Sequence, residues 1–284
     1  YTVQEGSNTV ATGENDLTGA ISFTPITYGL DEIGIHTYTV TENKPSVPGV
    51  AGDDRALTVR VDVKDRGDGT LSAEVLTAQS DPLNFTNVYT AFGSLDVSVN
   101  KTVNGKALQP DEAGLFLFNL KSAAGAPAVD ETVRNDANGV AAFTTLRYTI
   151  ADVGKTYTYT LTETTPDGNG YTSDKRAYTM EVEIRDNGNG TLSVTRRFLY
   201  GDAPVTTVTF DNTYTASGAL NLTGTKAMDG RALKQTDAFN FTVKEGNRTV
   251  ALGCNDVDGN IAFTPVTYTL ADAGTHTYTV TEDD

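Results

Sequence analysis

The chain has 284 residues and a formal net charge of −16, long enough for two or three ordinary domains. So acidic a surface repels phosphate backbones, which excludes nucleic acid as a partner. No apolar run reaches bilayer-spanning length, no signal peptide is visible, and the single cysteine, Cys254, excludes an intrachain disulfide. Glycine is frequent, tryptophan is absent, and Thr, Val and Tyr recur in short alternating runs broken by Gly, Asn and Asp. That composition predicts an all-β protein of many short strands and tight turns, with no sustained helix.

In chain order the sequence repeats itself. Residues 1–42 align with 241–282 without a gap, and 26 of the 42 positions are identical. Phe23-Thr24-Pro25-Ile26-Thr27-Tyr28 returns as Phe263-Thr264-Pro265-Val266-Thr267-Tyr268, and a diverged copy, Phe143-Thr144-Thr145-Leu146-Arg147-Tyr148, lies between them. Tyr38-Thr39-Val40-Thr41-Glu42 likewise returns as Tyr159-Thr160-Leu161-Thr162-Glu163 and Tyr278-Thr279-Val280-Thr281-Glu282. Two Asp/Gly-rich turns, at 65–70 and 186–191, are followed downstream by Phe85-Thr86-Asn87-Val88-Tyr89 and Phe210-Asp211-Asn212-Thr213-Tyr214. The period is about 120 residues, giving units 1–91, 93–216 and 218–284. The first lacks its opening strand and the third its closing strands, so the sequence reads as a window on a longer array. Strand donation between molecules is the alternative. The joints at 91–94 and 216–218 are very short, which predicts stiff serial stacking. Seven or more short strands per unit predict tandem immunoglobulin-like β-sandwiches.

Strand parity then singles out three residues. Tyr159, Leu161 and Glu163 share one face, with threonines on the other. Leu95, Val97, Val99 and Lys101 share a face, as do Val208, Phe210, Asn212 and Tyr214, and Phe85, Asn87 and Tyr89 repeat the latter pattern. The middle unit therefore turns a Lys, a Glu and an Asn inward. Lys106 is replaced by Arg231 in the third unit while Lys101 is matched by Lys226, which marks Lys101 as a position that needs an amine. One reading is a buried Lys–Glu ion pair with a hydrogen-bonding Asn, which contributes little net stability. The other is a reaction: a desolvated amine loses its proton, attacks the Asn side-chain carbonyl, and a desolvated carboxylic acid shuttles the proton to the departing ammonia.

The pattern Lys101-x3-Gly105-x-x-Leu108, Phe116-x-Phe118, Tyr159-x-x-x-Glu163 and Phe210-x-Asn212-x-Tyr214 resembles the pilin isopeptide-linkage domain of Gram-positive surface proteins. It is similar to streptococcal major pilin and collagen-adhesin B-type domains. The resemblance implies an inverse immunoglobulin-like sandwich, a self-generated bond between Lys101 and Asn212, and Glu163 as its catalyst. By the same match Glu42 and Glu282 are catalytic counterparts, Asn87 is an acceptor without an amine, and Lys226 is an amine without an acceptor. It further implies an extracellular, cell-wall-anchored protein.

Other signals point to less. The Asp/Gly turns lack calcium-loop spacing and read as hairpins; no metal or cofactor is expected. His36 and His276 replace Tyr157 and are expected as core or rim aromatics, and Cys254 as a neutral loop substitution. No Ser/His/Asp set or phosphate loop stands out, so an enzyme is not expected. The function expected is a stalk or shaft repeat of an adhesin or pilus, whose partners are neighbouring repeats. The alternatives are a module binding host glycan or protein at a distal tip, and a sortase-polymerised shaft subunit. Loops 42–54 and 164–174, with Tyr171 their only aromatic, do not favour the binding module.

Overall fold

In the middle repeat the predicted alternation becomes two facing sheets. The computed structural model describes residues 1–76 and 83–283, so Asp284, where the third unit is expected to end, lies outside them. One sheet runs, in spatial order, Asp130–Arg134, Leu117–Ser122, Thr156–Glu163, Ala177–Asp186, Leu192–Tyr200 and Ala203–Val205. The other runs Val140–Ala142, Ser98–Val103, Thr209–Tyr214 and Tyr171–Thr172, with the pair Phe92–Leu95 and Leu146–Thr149 beside it. Tyr157, Tyr159, Leu161 and Glu163 are buried while the intervening threonines are not, so apolar side chains of both layers meet in one core. Phe118, Leu120, Tyr159, Met180, Ile184 and Phe210 are fully enclosed there. The chain is an all-β array of immunoglobulin-like sandwiches, and among the described residues its helical content is limited to single 3-10 turns.

Ser98–Val103 and Thr209–Tyr214 are the structural centre of this repeat. They lie side by side and parallel, with Lys101 opposite Phe210 and Val103 opposite Asn212. The first and last long segments of the repeat are thus direct neighbours. The alternation from Leu95 to Lys101 is not one strand, however. The chain leaves Phe92–Leu95, crosses Asp96 and Val97, and re-enters as Ser98–Val103 with new partners. Both turns at 65–70 and 186–191 close antiparallel hairpins, as expected.

The first repeat carries the same larger sheet, the third carries only its Asn240–Glu245, Arg248–Asn255 and Thr279–Glu282 part, and the opposing layer is reduced in both. In the first repeat it consists of Val50–Ala51 and Val88–Tyr89. An apolar hollow of about 160 Å³, lined by Val3, Tyr38, Val40, Val61 and Leu83 among others, is left over its core. In the third repeat Ser217–Leu220 pairs with Val266–Thr269, and Thr223–Thr225 pairs with Asn260–Phe263. All three repeats share one polar core element, a pair of tyrosine hydroxyls in contact: Tyr28 with Tyr38 at 2.9 Å, Tyr148 with Tyr159 at 3.0 Å, and Tyr268 with Tyr278 at 2.8 Å.

His36 and His276 sit at the core rim, stacked on Tyr38 and Tyr278, and each turns both ring nitrogens toward acceptors. The two ring nitrogens of His36 face acceptors, Glu5 Oε1 at 2.7 Å and the Glu32 carbonyl at 2.7 Å. A neutral imidazole has a single N–H, so both bonds form only with the imidazolium. The Glu32 carbonyl and then Glu5 raise the His36 pKa above its ordinary value. His276 repeats this with the Asp272 carbonyl and Glu245, each at 2.6 Å. A raised histidine pKa contributes stability that is complete below the unfolded value and fades as pH rises through the folded one. The urea midpoints of the flanking repeats should therefore fall as pH rises from about 6 to 8. The double variant His36→Gln, His276→Gln should flatten that slope, and an unchanged slope would contradict the assignment.

Candidate functional site

Lys101, Glu163 and Asn212 come from three strands and two layers and converge inside the middle repeat. Each is placed by the inward parity of its strand, and all three are buried. The Lys101 and Glu163 side chains are wholly enclosed, with Nζ 3.2 Å from Glu163 Oε2. Nζ also donates to the Phe210 carbonyl at 3.2 Å and lies 4.7 Å from the centre of the Phe116 ring. Asn212 Nδ2 donates to Glu163 Oε1 at 2.7 Å. Beyond that ion pair with Lys101, Glu163 Oε2 is buried with no further partner among the described residues. An enclosure lined by Phe116, Phe118 and Phe210 disfavours charge, and burial lowers the Lys101 pKa from its ordinary value against the opposing pull of Glu163.

Parity did not reveal what holds the Asn212 carbonyl. The backbone N–H of Asp174 donates to Asn212 Oδ1 at 2.8 Å. Asp174 is fixed in turn by the Arg176 guanidinium, whose Nε lies 3.0 and 2.9 Å from its two oxygens, and by the Asp211 N–H at 2.8 Å. Burial alone would raise the Asp174 pKa, but the Arg176 fork more than offsets it and holds the carboxyl below its ordinary value. Arg176 also donates to the Thr209 carbonyl at 2.9 Å, tying the clamp to the last strand. The first repeat has the same set: Asp53 N–H lies 3.1 Å from Asn87 Oδ1, and Arg55 grips Asp53 through Nε at 2.9 and 3.1 Å. The sequence signal was the recurrence of Asp-x-Arg at 53–55 and 174–176.

The half-sites are assembled but not enclosed. Asn87 Nδ2 donates to Glu42 Oε1 at 2.8 Å, yet Asn87 is exposed, contrary to its expected inward burial with Phe85 and Tyr89. A groove of about 580 Å³ runs beside Tyr1, Glu42, Phe85 and Asn87, where the middle repeat has Ser98–Val103. Lys226 Nζ meets both Glu282 oxygens at 2.8 Å, but Glu282 is exposed. Burial requires the facing layer, and parity alone does not supply it. Tyr171 is not presented to solvent as a ligand contact. It packs on Phe116 and Tyr214 and donates to Glu112 at 2.8 Å.

Serial all-β sandwiches of this type are a structural class of protein. The chain belongs to the FctA family, the Spy0128-like isopeptide containing domain, which it matches over residues 1–90, 97–215 and 222–284. Membership supports a structural role of the pilus-shaft type, and no helix among the described residues is long and apolar enough to cross a membrane. Among solved structures the chain is similar to the major pilin of Streptococcus pyogenes, at 16% identity over 67% of this chain and 82% of the pilin, with a TM-score of 0.28. A mutant of that pilin gives 15%, 67%, 82% and 0.30 in the same order. The T-13 major pilin of the same species gives 16%, 69%, 83% and 0.27. No curated protein matches the chain.

Replacing Arg176 with Ala leaves a largely buried carboxylate with its backbone donors alone. The middle repeat should lose about 1–3 kcal/mol in urea unfolding. A loss below about 0.5 kcal/mol, the range of a surface change, would show that the clamp does not hold the site.

Proposed function

We infer that the middle repeat closes a covalent bond between Lys101 Nζ and Asn212 Cγ, and that the chain is a force-bearing stalk or shaft segment of a Gram-positive surface adhesin or pilus. One observation carries this reading: an amine, a carboxyl and a carboxamide share one enclosed space, and a backbone N–H is already aimed at the carboxamide oxygen. A buried ion pair alone gains little over apolar packing, and it leaves the Asp174 donor unexplained.

The steps balance. Proton transfer from Lys101 to Glu163 leaves a neutral amine and a carboxylic acid, the pairing that desolvation favours. The nitrogen lone pair attacks Asn212 Cγ, and the developing negative charge on Oδ1 is met by the Asp174 N–H. Glu163 passes a proton to Nδ2, to which it is already bonded, and takes one from Nζ. The C–Nδ2 bond breaks, ammonia leaves, and an amide joins the two strands. Because these strands are adjacent and parallel, pulling on the ends of the repeat shears them apart. The new bond would carry that load past their hydrogen bonds. By analogy with a disulfide, closing a loop of about 110 residues contributes about 4–5 kcal/mol.

Units 1–91, 93–216 and 218–284 are on this reading successive sandwiches of one array. Glu42 with Asn87 and Glu282 with Lys226 are on this reading half-sites of the same reaction. The protein has no external substrate, and its partners are neighbouring repeats.

Glu163→Ala should leave the middle repeat folded by circular dichroism but unlinked. It should migrate more slowly than the parent on denaturing electrophoresis and melt at lower temperature. Equal mobility of the two proteins under boiling denaturant would sink the catalytic assignment.

A further inference from the structure

The joint between the first and middle repeats is held at two places far apart in sequence. The chain itself crosses at Ala91, which is fully buried in the core of the middle repeat. At the second place Gly49 of the first repeat meets Gly190 of the middle repeat, backbone to backbone. A Cβ on Gly49 would lie 2.6 Å from Gly190 Cα, and one on Gly190 would lie 2.9 Å from Gly49 Cα. Both have φ near +80°, so a side chain is excluded by conformation and by space.

Tyr89 fastens this contact. It belongs to the first repeat, where Val88–Tyr89 pairs with Val50–Ala51, yet its ring packs on the core of the middle repeat. Its hydroxyl donates to Asp186 at 2.8 Å and accepts the Gly190 N–H at 3.1 Å. The Gly190 carbonyl accepts the Phe92 N–H at 3.2 Å. Both backbone polar groups of Gly190 are therefore used at the joint, one on each side of the chain crossing.

Each half of the contact is also formed where the other half is not needed to shape it. The first half is a corner: a Cβ on Gly49 would meet the Thr90 carbonyl at 2.7 Å and the Tyr89 ring at 2.8 Å, and the Thr90 N–H donates to the Gly49 carbonyl at 2.8 Å. The middle repeat builds the same corner at its own end. There Gly170 gives 2.6 Å with the Thr215 carbonyl and 2.7 Å with the Tyr214 ring, and the Thr215 N–H donates to Gly170 at 2.9 Å. The second half is the 186–191 hairpin, in which Asn187 N–H bonds to the Thr191 carbonyl at 3.1 Å and Gly188 N–H to Asp186 at 3.0 Å. The turn at 65–70 has the same two bonds at 3.1 and 2.8 Å, with Gly69 at φ +86° where Gly190 has +80°. Corner and hairpin are thus preorganised, which lowers the cost of joining them.

Tandem domains joined by a short linker alone move relative to one another by default. Here a second attachment links residues 101 positions apart in sequence, from Tyr89 to Gly190. We propose that the Gly49 corner and the 186–191 hairpin form a latch that fixes the middle repeat in one orientation on the first, with the Tyr89 hydroxyl as its fastening. The partner the hairpin accepts is the end of a preceding repeat that offers a side-chain-free corner and a tyrosine hydroxyl. Phenylalanine at position 89 fills the same space but leaves the Gly190 N–H without its acceptor. The latch lies apart from Lys101, Glu163 and Asn212 and holds whether or not they are joined.

The test compares residual dipolar couplings of the isotope-labelled 284-residue chain with those of Tyr89→Phe. In the parent, couplings from the first and middle repeats should fit one alignment tensor, and the Gly190 amide should exchange slowly with solvent. In Tyr89→Phe each repeat should still fit a tensor of its own, as a folded domain does. The two tensors should now differ in magnitude, and the Gly190 amide should exchange several-fold faster. Asp186→Ala removes the acceptor of the same hydroxyl from the other side of the joint and should separate the tensors as well. Two unequal tensors in the parent, or a single shared tensor in either variant, would overturn the proposal.

Discussion

The middle repeat is organised around an ionisable pair in a place that does not tolerate charge. Lys101 and Glu163 are enclosed among phenylalanines, and the Coulombic attraction between them is set against the desolvation of both groups. On the proposed reading, neutralisation by proton transfer relieves that cost and creates the nucleophile and the acid in one step. The tertiary structure supplies the rest by placing a carboxamide against the carboxyl and fixing its oxygen.

The flanking repeats show what the second layer adds. Glu42 and Asn87 make the same hydrogen bond as Glu163 and Asn212, and Asp53 and Arg55 form the same clamp. What differs is exposure, since water reaches Asn87 and screens the carboxylate. The polar contacts are therefore local to the strands that carry them, while their desolvation comes from the opening strand across the core. This divides the site into a part written in short segments and a part that exists only in a complete sandwich.

The same division explains how much could be read from sequence. Inward parity placed Lys101, Glu163 and Asn212 on core faces, because alternation reports which side of a strand is apolar. It could not report the break at Asp96 and Val97, since Leu95, Val97 and Val99 stay inward through the change of partners. It could not give the exposure of Asn87 and Glu282, which depends on a facing layer. Asp174 and Arg176 recur as Asp-x-Arg, but their place beside Asn212 was hidden for another reason. Tyr171–Thr172 is a two-residue strand inside a loop, and only its pairing with the last strand brings the Asp174 N–H to Asn212. Likewise the turn at 186–191 has ordinary hairpin composition, and its contact with Gly49 arises from the joint. Local chemistry was legible, whereas contacts made by loops across the sandwich were not.

The central claim is that the buried cluster is a completed reaction rather than a resting ion pair. Tandem mass spectrometry of a proteolytic digest tests this most directly. The account predicts a branched peptide joining Lys101 to Asn212, lighter by one ammonia than the sum of its two linear parts. Recovery of both linear peptides at full mass, with Lys101 open to acylation in the denatured chain, would contradict it.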